Sequence, residues 1–268
     1  MLTQNEWLVD LPEKDLRTVI IIPARFASSR YPGKPLVKLL GKPMILWVAE
    51  LSAEAVGQEN VYIATDSEEI KAAVNEAGFQ TIMTGPALTG TDRLAEAAEQ
   101  INAEIYINVQ GDEPLVNPSD ILKIIDIKKS NPNKIINGCR KISANENPHN
   151  VNIPKVLKNE KSQLVYMSRN ALPGCKEFKN SPTEYWKQVC IYAFSLEELK
   201  SFRSFGRKSL IESYEDIEIL RFFELEKEIL MVETEGESLA VDSPADIEPV
   251  ENALKSRNLM EGVIKLFK

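Results

Sequence analysis

Four short apolar runs, Val19–Ile22, Val61–Thr65, Thr81–Met83 and Ile105–Val109, are spaced along the first half of the chain with helical patterns between them. The first is continuously β-branched and is cut off by Pro23, as in a central parallel strand buried on both faces. After Gly41-Lys42-Pro43, which is read as the opening of a helix, Met44, Trp47, Val48 and Leu51 recur at helical spacing. Ile70, Ala73 and Val74 mark a second helix, halted by Gly78, and a third opens at Thr89–Arg93 and runs through Gln100. Strands alternating with helices at this interval predict parallel β-α-β units with right-handed crossovers, hence an α/β fold with a mostly parallel central sheet. Four polar stretches, at 23–35, 65–67, 89–93 and 110–114, each lie just past a predicted strand end. Open α/β sheets gather their ligands there.

From Ile121 the pattern changes. A helix to about Lys129 leads into short strands at Ile135–Ile142, Lys155–Leu157, Val165–Ser168 and Gln188–Phe194, separated by polar loops rich in Asn and Pro. This reads as an antiparallel insertion over about 133–195. Glu212 to Leu225 is predicted as one buried helix, followed by a strand Ile229–Val232, a turn at Gly236 and a last helix from Ser243-Pro244. The organisation expected is an N-terminal extension over 1–17, a single domain over 18–256 and a tail over 257–268.

The 32 basic and 40 acidic side chains leave a formal charge of −8, which argues against nucleic acid or an anionic membrane as the main partner. No apolar run approaches the roughly 20 residues that span a bilayer, and the N-terminus lacks the basic-then-apolar pattern of a secretory leader, so a cytoplasmic protein is expected. Cys139, Cys175 and Cys190 have neither pairing parity nor C-x-x-C spacing, so neither a disulfide framework nor a zinc site is expected.

The stretch after the first strand carries Arg25, Arg30 and Lys34, the hydroxyls of Ser28 and Ser29, and a Pro32-Gly33 turn that lets backbone amides approach a ligand. Such a loop suits a triphosphate, although its spacing is neither Walker A nor G-x-G-x-x-G. Over fifteen positions, I-P-A-R-x-x-S-S-R-x-P-G-K-P-L resembles the signature loop of sugar nucleotidyltransferases, most closely that of the 3-deoxy-manno-octulosonate cytidylyltransferases. Agreement extends to Q-G-D-E-P at 110–114, A-V-D-S-P at 240–244 and Y-M-S-R at 166–169, and covers roughly residues 18 to 255.

The resemblance implies a Rossmann-like fold of the nucleotide-diphospho-sugar transferase type with an antiparallel dimerisation extension. It also implies transfer of CMP from CTP to a sugar acid with Mg²⁺, and a homodimer. On that basis Arg25 and Lys34 would hold the phosphates, with Arg30 as a further cation. Asp112 and Asp242 would hold Mg²⁺; each follows a strand and precedes or nearly precedes a proline, and hard oxygens suit that ion. Asp242 or Ser243 capping the last helix is the competing account of that motif. Ala24, Ser28, Ser29, Asp66, Thr91, Arg93 and Gln110 correspond to positions around the nucleotide, with helix capping an equal account of Asp66 and Ser67.

Arg169, Tyr192 and Glu218 correspond to acceptor contacts, Arg169 on the carboxylate. Here the chain departs from the family. Gln188 stands where its members read His, and Ile219 where they read Gln, so the acceptor pocket is expected to differ at these two positions. The only histidine, His149, lies in an Asn/Pro-rich loop, so no histidine general base is expected. The expected acceptor is 3-deoxy-manno-octulosonate, with its 8-amino analogue or a nonulosonate as alternatives. A non-catalytic nucleotide-binding regulator is the alternative from another class, disfavoured because both aspartates are present.

Overall fold

In a computed structural model the chain is described over residues 16–27, 31–236 and 239–266. The first half comprises β1 (Thr18–Ala24), β2 (Lys38–Leu39), β3 (Lys42–Pro43), α1 (Met44–Val56), β4 (Val61–Thr65), α2 (Glu68–Glu76), β5 (Gln80–Met83), α3 (Gly90–Ala98), β6 (Ile105–Val109) and α4 (Pro118–Ser130). The second comprises β7 (Ile135–Lys141), β8 (Lys155–Lys158), β9 (Leu164–Ser168), β10 (Trp186–Phe194), α5 (Leu196–Ser204), α6 (Leu210–Glu215), α7 (Arg221–Glu224), β11 (Ile229–Glu233) and α8 (Ile247–Leu266).

The main sheet has the order β11-β7-β10-β6-β1-β4-β5. β1 pairs in parallel with β4 and β6, β4 with β5, and β7 with β11; β10 alone runs against its neighbours β6 and β7. β1 is central because its side chains satisfy two cores at once. Val19 and Ile21 enter one layer with residues of α3, α5 and α7, while Ile20 and Ile22 enter the other with residues of α1, α2 and α4. All four are completely buried, and each contributes roughly 1.5–3 kcal/mol of transfer free energy. The chain leaves β1 toward β4 and β5, then returns to lay β6 on the other side. The crevice between the β1 and β6 carboxyl ends is therefore the switch point of the sheet. Gly111 lets the two loops meet there, since a Cβ at that position would lie 3.0 Å from the carbonyl oxygen of Pro23.

Three features differ from the sequence expectation. First, β7 and β10 lie within the main path of the sheet, so the antiparallel part that branches from it is narrower than 133–195. It is the β8–β9 hairpin, which joins the same sheet by pairing with β10 through Trp186↔Val156 and Lys187↔Lys155. The alternating short strands looked alike in sequence because β10 is a single reversed strand within a parallel array. Second, Gly41-Lys42-Pro43 does not open a helix. Leu40 and Gly41, with φ of 51° and 84°, turn the β2–β3 hairpin, and α1 starts at Met44.

Third, the expected helix from Glu212 to Leu225 is broken. Ser209 and Glu212 close a capping box that starts α6 earlier, Asp216 ends it in the left-handed region at φ 50°, and a 3₁₀ turn, Glu218–Leu220, runs into α7. The break aims two charged side chains, Glu218 and Arg221, at α3.

A third small core holds the C-terminal segment in place. Val241, Val250 and Leu254 pack with Leu39, Met44 and Leu115, and the backbone N–H of Leu40 donates to Glu251 at 2.8 Å. All three cysteines are free, and burial pushes the Cys139 thiol up to about 11. Among the described residues no helix is long and apolar enough to cross a membrane.

Candidate active site

The loop after β1 is closed by the N–H of Gly33, which donates to the Phe26 carbonyl at 2.9 Å. Gly33 is left-handed, at φ 69°, and the 3₁₀ turn that follows begins with Lys34. Its ammonium lies 2.7 Å from Asp112 Oδ2 and 3.5 Å from Asp242 Oδ1. Two carboxylates 130 positions apart thus face one cation. They are brought together by backbone, because the N–H of Val241 donates to the Asp112 carbonyl at 3.1 Å, stitching the C-terminal segment onto the β6 loop. Of the two capping candidates, Ser243 takes the N-cap position, in a capping box whose Asp246 carboxylate accepts from the N–H of Asp242 and from the N–H and hydroxyl of Ser243 at 2.7–3.0 Å, which leaves the Asp242 side chain facing Lys34.

Two carboxylates against one ammonium leave a net negative charge in a cleft where both remain solvent-accessible, at 28% and 47% of side-chain area. Lys34 stands as a built-in cation in the position this donor set favours. Among the described residues no three His, Cys, Asp or Glu side chains cluster as a closed metal site. Two carboxylates with open positions suit a hard cation that keeps water and takes phosphate oxygens, which is the habit of Mg²⁺. Arg25 is exposed, directly after the end of β1; Ser28, Ser29 and Arg30 lie outside the described residues.

The first turn of α3 is occupied residue by residue. Thr89 caps it, its hydroxyl accepting from the N–H of Asp92 at 3.1 Å. The N–H groups of Gly90 and Thr91, and the Thr91 hydroxyl, all donate to the Glu218 carboxylate at 2.7–3.0 Å, so an anion sits on the positive end of the helix. Arg93 is buried and pairs with Asp66 at 2.6 Å, also donating to Thr84. Asp66 is therefore a partner of Arg93, and Ser67 is the α2 cap, accepting from the N–H of Ile70 at 3.2 Å. Gln110 lies at the rim: a Cβ on Gly90 would stand 3.5 Å from both its amide nitrogen and Glu218 Oε1. Ala24 is buried at the end of β1, in register with Thr65.

The expected acceptor residues fall into two groups. Tyr192 on β10 is buried, stacked 6.0 Å from Phe194, and burial, with Cys190 and Glu218 adding, pushes its hydroxyl well above the usual range. Cys190 beside it is likewise raised by burial and by the nearby charges of Glu113 and Asp112, so no thiolate nucleophile is available there. Arg169 lies at the other group. Its guanidinium donates to the carbonyls of Glu215, Val151 and Asp216 at 2.6–2.9 Å, fastening the end of β9 to the end of α6. Gln188 is buried and donates to Asn137 Oδ1 at 3.1 Å; Asn137 in turn donates to the carbonyls of Val189 and Ile191, bridging a bulge in β10. Ile219 is 2% exposed and packs in the core layer rather than forming an open pocket wall. His149 is exposed.

The profile of the cytidylyltransferase family matches residues 19–229. The chain belongs to the cytidylyltransferase family. It is 36% identical over 247 residues to a 3-deoxy-manno-octulosonate cytidylyltransferase of Escherichia coli, covering 91% of this chain and 98% of that protein. It is 34% identical over 248 residues to an 8-amino-3,8-dideoxy-manno-octulosonate cytidylyltransferase of Shewanella baltica (strain OS185), covering 89% and 99%. A solved CMP:2-keto-3-deoxy-manno-octonic acid synthetase in complex with CTP superposes with a TM-score of 0.82 at 35% identity, covering 90% and 99%. This cytidylyltransferase is therefore a nucleotidyltransferase built on a mostly parallel α/β sheet.

Sequence reasoning missed one cluster in this cytidylyltransferase. Arg221, completely buried, donates to Asp92 at 2.8 and 3.1 Å and to Glu212 at 2.8 Å through two nitrogens, and its guanidinium lies 3.8 Å over the Phe202 ring. Burial works to lower its pKa, and the hydrogen bonds it donates to Glu212 and Asp92, with their negative charges, outweigh it. The signal was present: an arginine inside the apolar run I-L-R-F-F of a segment predicted to be buried needs a partner.

Proposed function

We propose that this cytidylyltransferase activates a 2-keto-3-deoxy sugar acid, 3-deoxy-manno-octulosonate first among candidates, with CTP to give the CMP-sugar and pyrophosphate. The observation that carries the reading is the convergence of Lys34, Asp112 and Asp242 at the β1/β6 switch point, in a chain whose relatives are octulosonate enzymes over nearly their full lengths. A sugar hydroxyl oxygen attacks the α-phosphorus of CTP, the bond from that phosphorus to the bridging oxygen breaks, and pyrophosphate leaves. Lys34 and Arg25 neutralise the leaving phosphates, which is where positioning and charge stabilisation do most for phosphoryl chemistry. Asp112 and Asp242 would hold a divalent cation, Mg²⁺ by their chemistry, which when bound supplies further charge neutralisation and lowers the pKa of the attacking hydroxyl. Gln110 reads the cytosine edge from the rim, with Ala24, Thr91 and Arg93 shaping the nucleotide side, and Arg169 takes the acceptor carboxylate.

We place the reaction in the cytoplasm, in a single domain over 18–256. A homodimer is supported by the exposed apolar side chains Val151, Val165 and Tyr214, which lie on three segments tied together through Arg169 and Glu215.

Pyrophosphate release is the direct test, with CTP, UTP, ATP or GTP against 3-deoxy-manno-octulosonate, its 8-amino analogue and N-acetylneuraminate. CTP should exceed UTP by at least tenfold in kcat/KM, since a site that pairs one exocyclic pattern leaves buried polar groups unpaired with the other. Equal rates with both nucleotides would remove the cytosine assignment. The 8-amino acid is the second reading, favoured by a relative named for it. An unchanged acceptor ranking in the Gln188→His, Ile219→Gln double variant would show that these positions do not choose the acid.

A further inference from the structure

One row of residues crosses the sheet directly below the site. In register it reads Tyr62 on β4, Ile21 on β1, Asn108 on β6, Tyr192 on β10, Asn137 on β7 and Met231 on β11, all on the face covered by α3 and the Glu218–Leu220 turn. The two asparagines have opposite fates. Asn137 donates to two carbonyls and accepts from Gln188. Asn108 is 0% exposed, and neither its amide nitrogen nor its amide oxygen has a hydrogen-bond partner among the described residues. A buried carboxamide with both ends unsatisfied is one of the costliest arrangements a sheet interior can hold, and such groups call for a missing partner.

The place of Asn108 says what that partner is. Two residues further along β6, about 7 Å by strand rise, is Gln110 at the rim. Beside Asn108 in the row is Tyr192, whose hydroxyl feels the Glu218 carboxylate, and Glu218 and Gln110 converge on the side-chain-free Gly90. Glu218 is held on the first turn of α3 by three hydrogen bonds, bonds that an arriving polyhydroxylated ligand can replace.

Building on the proposed function, we propose that Asn108 is a specificity-determining residue at the floor of the acceptor site. Its carboxamide hydrogen-bonds a hydroxyl of the sugar acid once Glu218 parts from the N-terminus of α3. The carboxamide suits this task, offering a donor and an acceptor to a single hydroxyl and its neighbour.

Asn108→Leu tests this, because leucine has similar volume and no polar atoms. The ligand-free melting temperature of the variant should equal or exceed that of the wild type, since an unpaired polar group has been removed. The acceptor KM should rise at least tenfold while the CTP KM stays within twofold. Across a set of monodeoxy octulosonates, one analogue that the wild type discriminates against should be used equally well by the variant relative to the parent acid. A lowered melting temperature with both KM values unchanged would mean that an internal water or packing alone completes the amide, and would overturn the inference. So would a matched rise in both KM values. Should Asn108→Leu not fold, Asn108→Ala is read by the same split. A wild type that releases no pyrophosphate with any acid overturns the functional reading itself, whereas an active wild type with an unaltered variant overturns only the role of Asn108.

Discussion

Asp112→Asn should lower kcat at saturating Mg²⁺ by at least about a hundredfold, roughly 2.7 kcal/mol of transition-state stabilisation, with little change in melting temperature. The side chain keeps its shape but loses the charge that faces Lys34 at 2.7 Å. The ion pair is partly exposed, and such pairs contribute about 0–1 kcal/mol to folding, so the damage should be to chemistry rather than to stability. Asp242→Asn should act in the same direction with a smaller effect, because its carboxylate is farther from Lys34, at 3.5 Å, and more exposed. Steady-state pyrophosphate release alongside thermal melting checks both. Near-normal turnover in a folded Asp112→Asn protein would remove this aspartate from the catalytic centre.

The backbone around Lys34 and Asp112 was legible in the sequence because it sits in short motifs at strand ends. The β-branched run before Pro23, the Pro-Gly turn and Q-G-D-E-P each specify their own backbone, so the positions of Lys34 and Asp112 just past strand ends follow from local pattern, while their expected roles came from the family resemblance. Asp242 needed more, since the bond from Val241 to Asp112 and the small core under α8 are long-range facts that no local pattern contains. The acceptor half was the least legible. Periodicity over 212–225 is helical throughout, yet Ser209 and Glu212 form a cap and Asp216 turns left-handed, so the segment breaks where capping overrides propensity. Gln188 and Ile219 were identifiable as departures, but only the structure shows one engaged by Asn137 and the other packed in the core. The antiparallel sense of Gln188–Phe194 was read from the sequence, but the place of β10 inside the main sheet, between β7 and β6, is a long-range fact that no local pattern contains.

Arg221→Met should be the most destabilising of the substitutions considered, by about 3–5 kcal/mol, because it leaves Asp92 and Glu212 buried against each other without their cation. Both carboxylates are buried, at 7% and 0% exposure, and the arginine is completely enclosed. At roughly 2–4 °C per kcal/mol for a chain of this size, the melting temperature should fall by on the order of 10 °C. Arg221→Lys should recover only part of the loss, since one ammonium cannot reproduce two bidentate contacts and the stack on Phe202. Adding Asp92→Asn and Glu212→Gln to Arg221→Met should restore stability toward the wild type, while additive losses would show that the three side chains do not act as a unit. Arg221 also ties α7 to the first turn of α3, three residues from the Glu218 that rests on that turn. The Arg221→Lys protein, if folded, should therefore lose acceptor affinity more than CTP affinity, and equal losses in the two KM values would confine the cluster to a purely structural role.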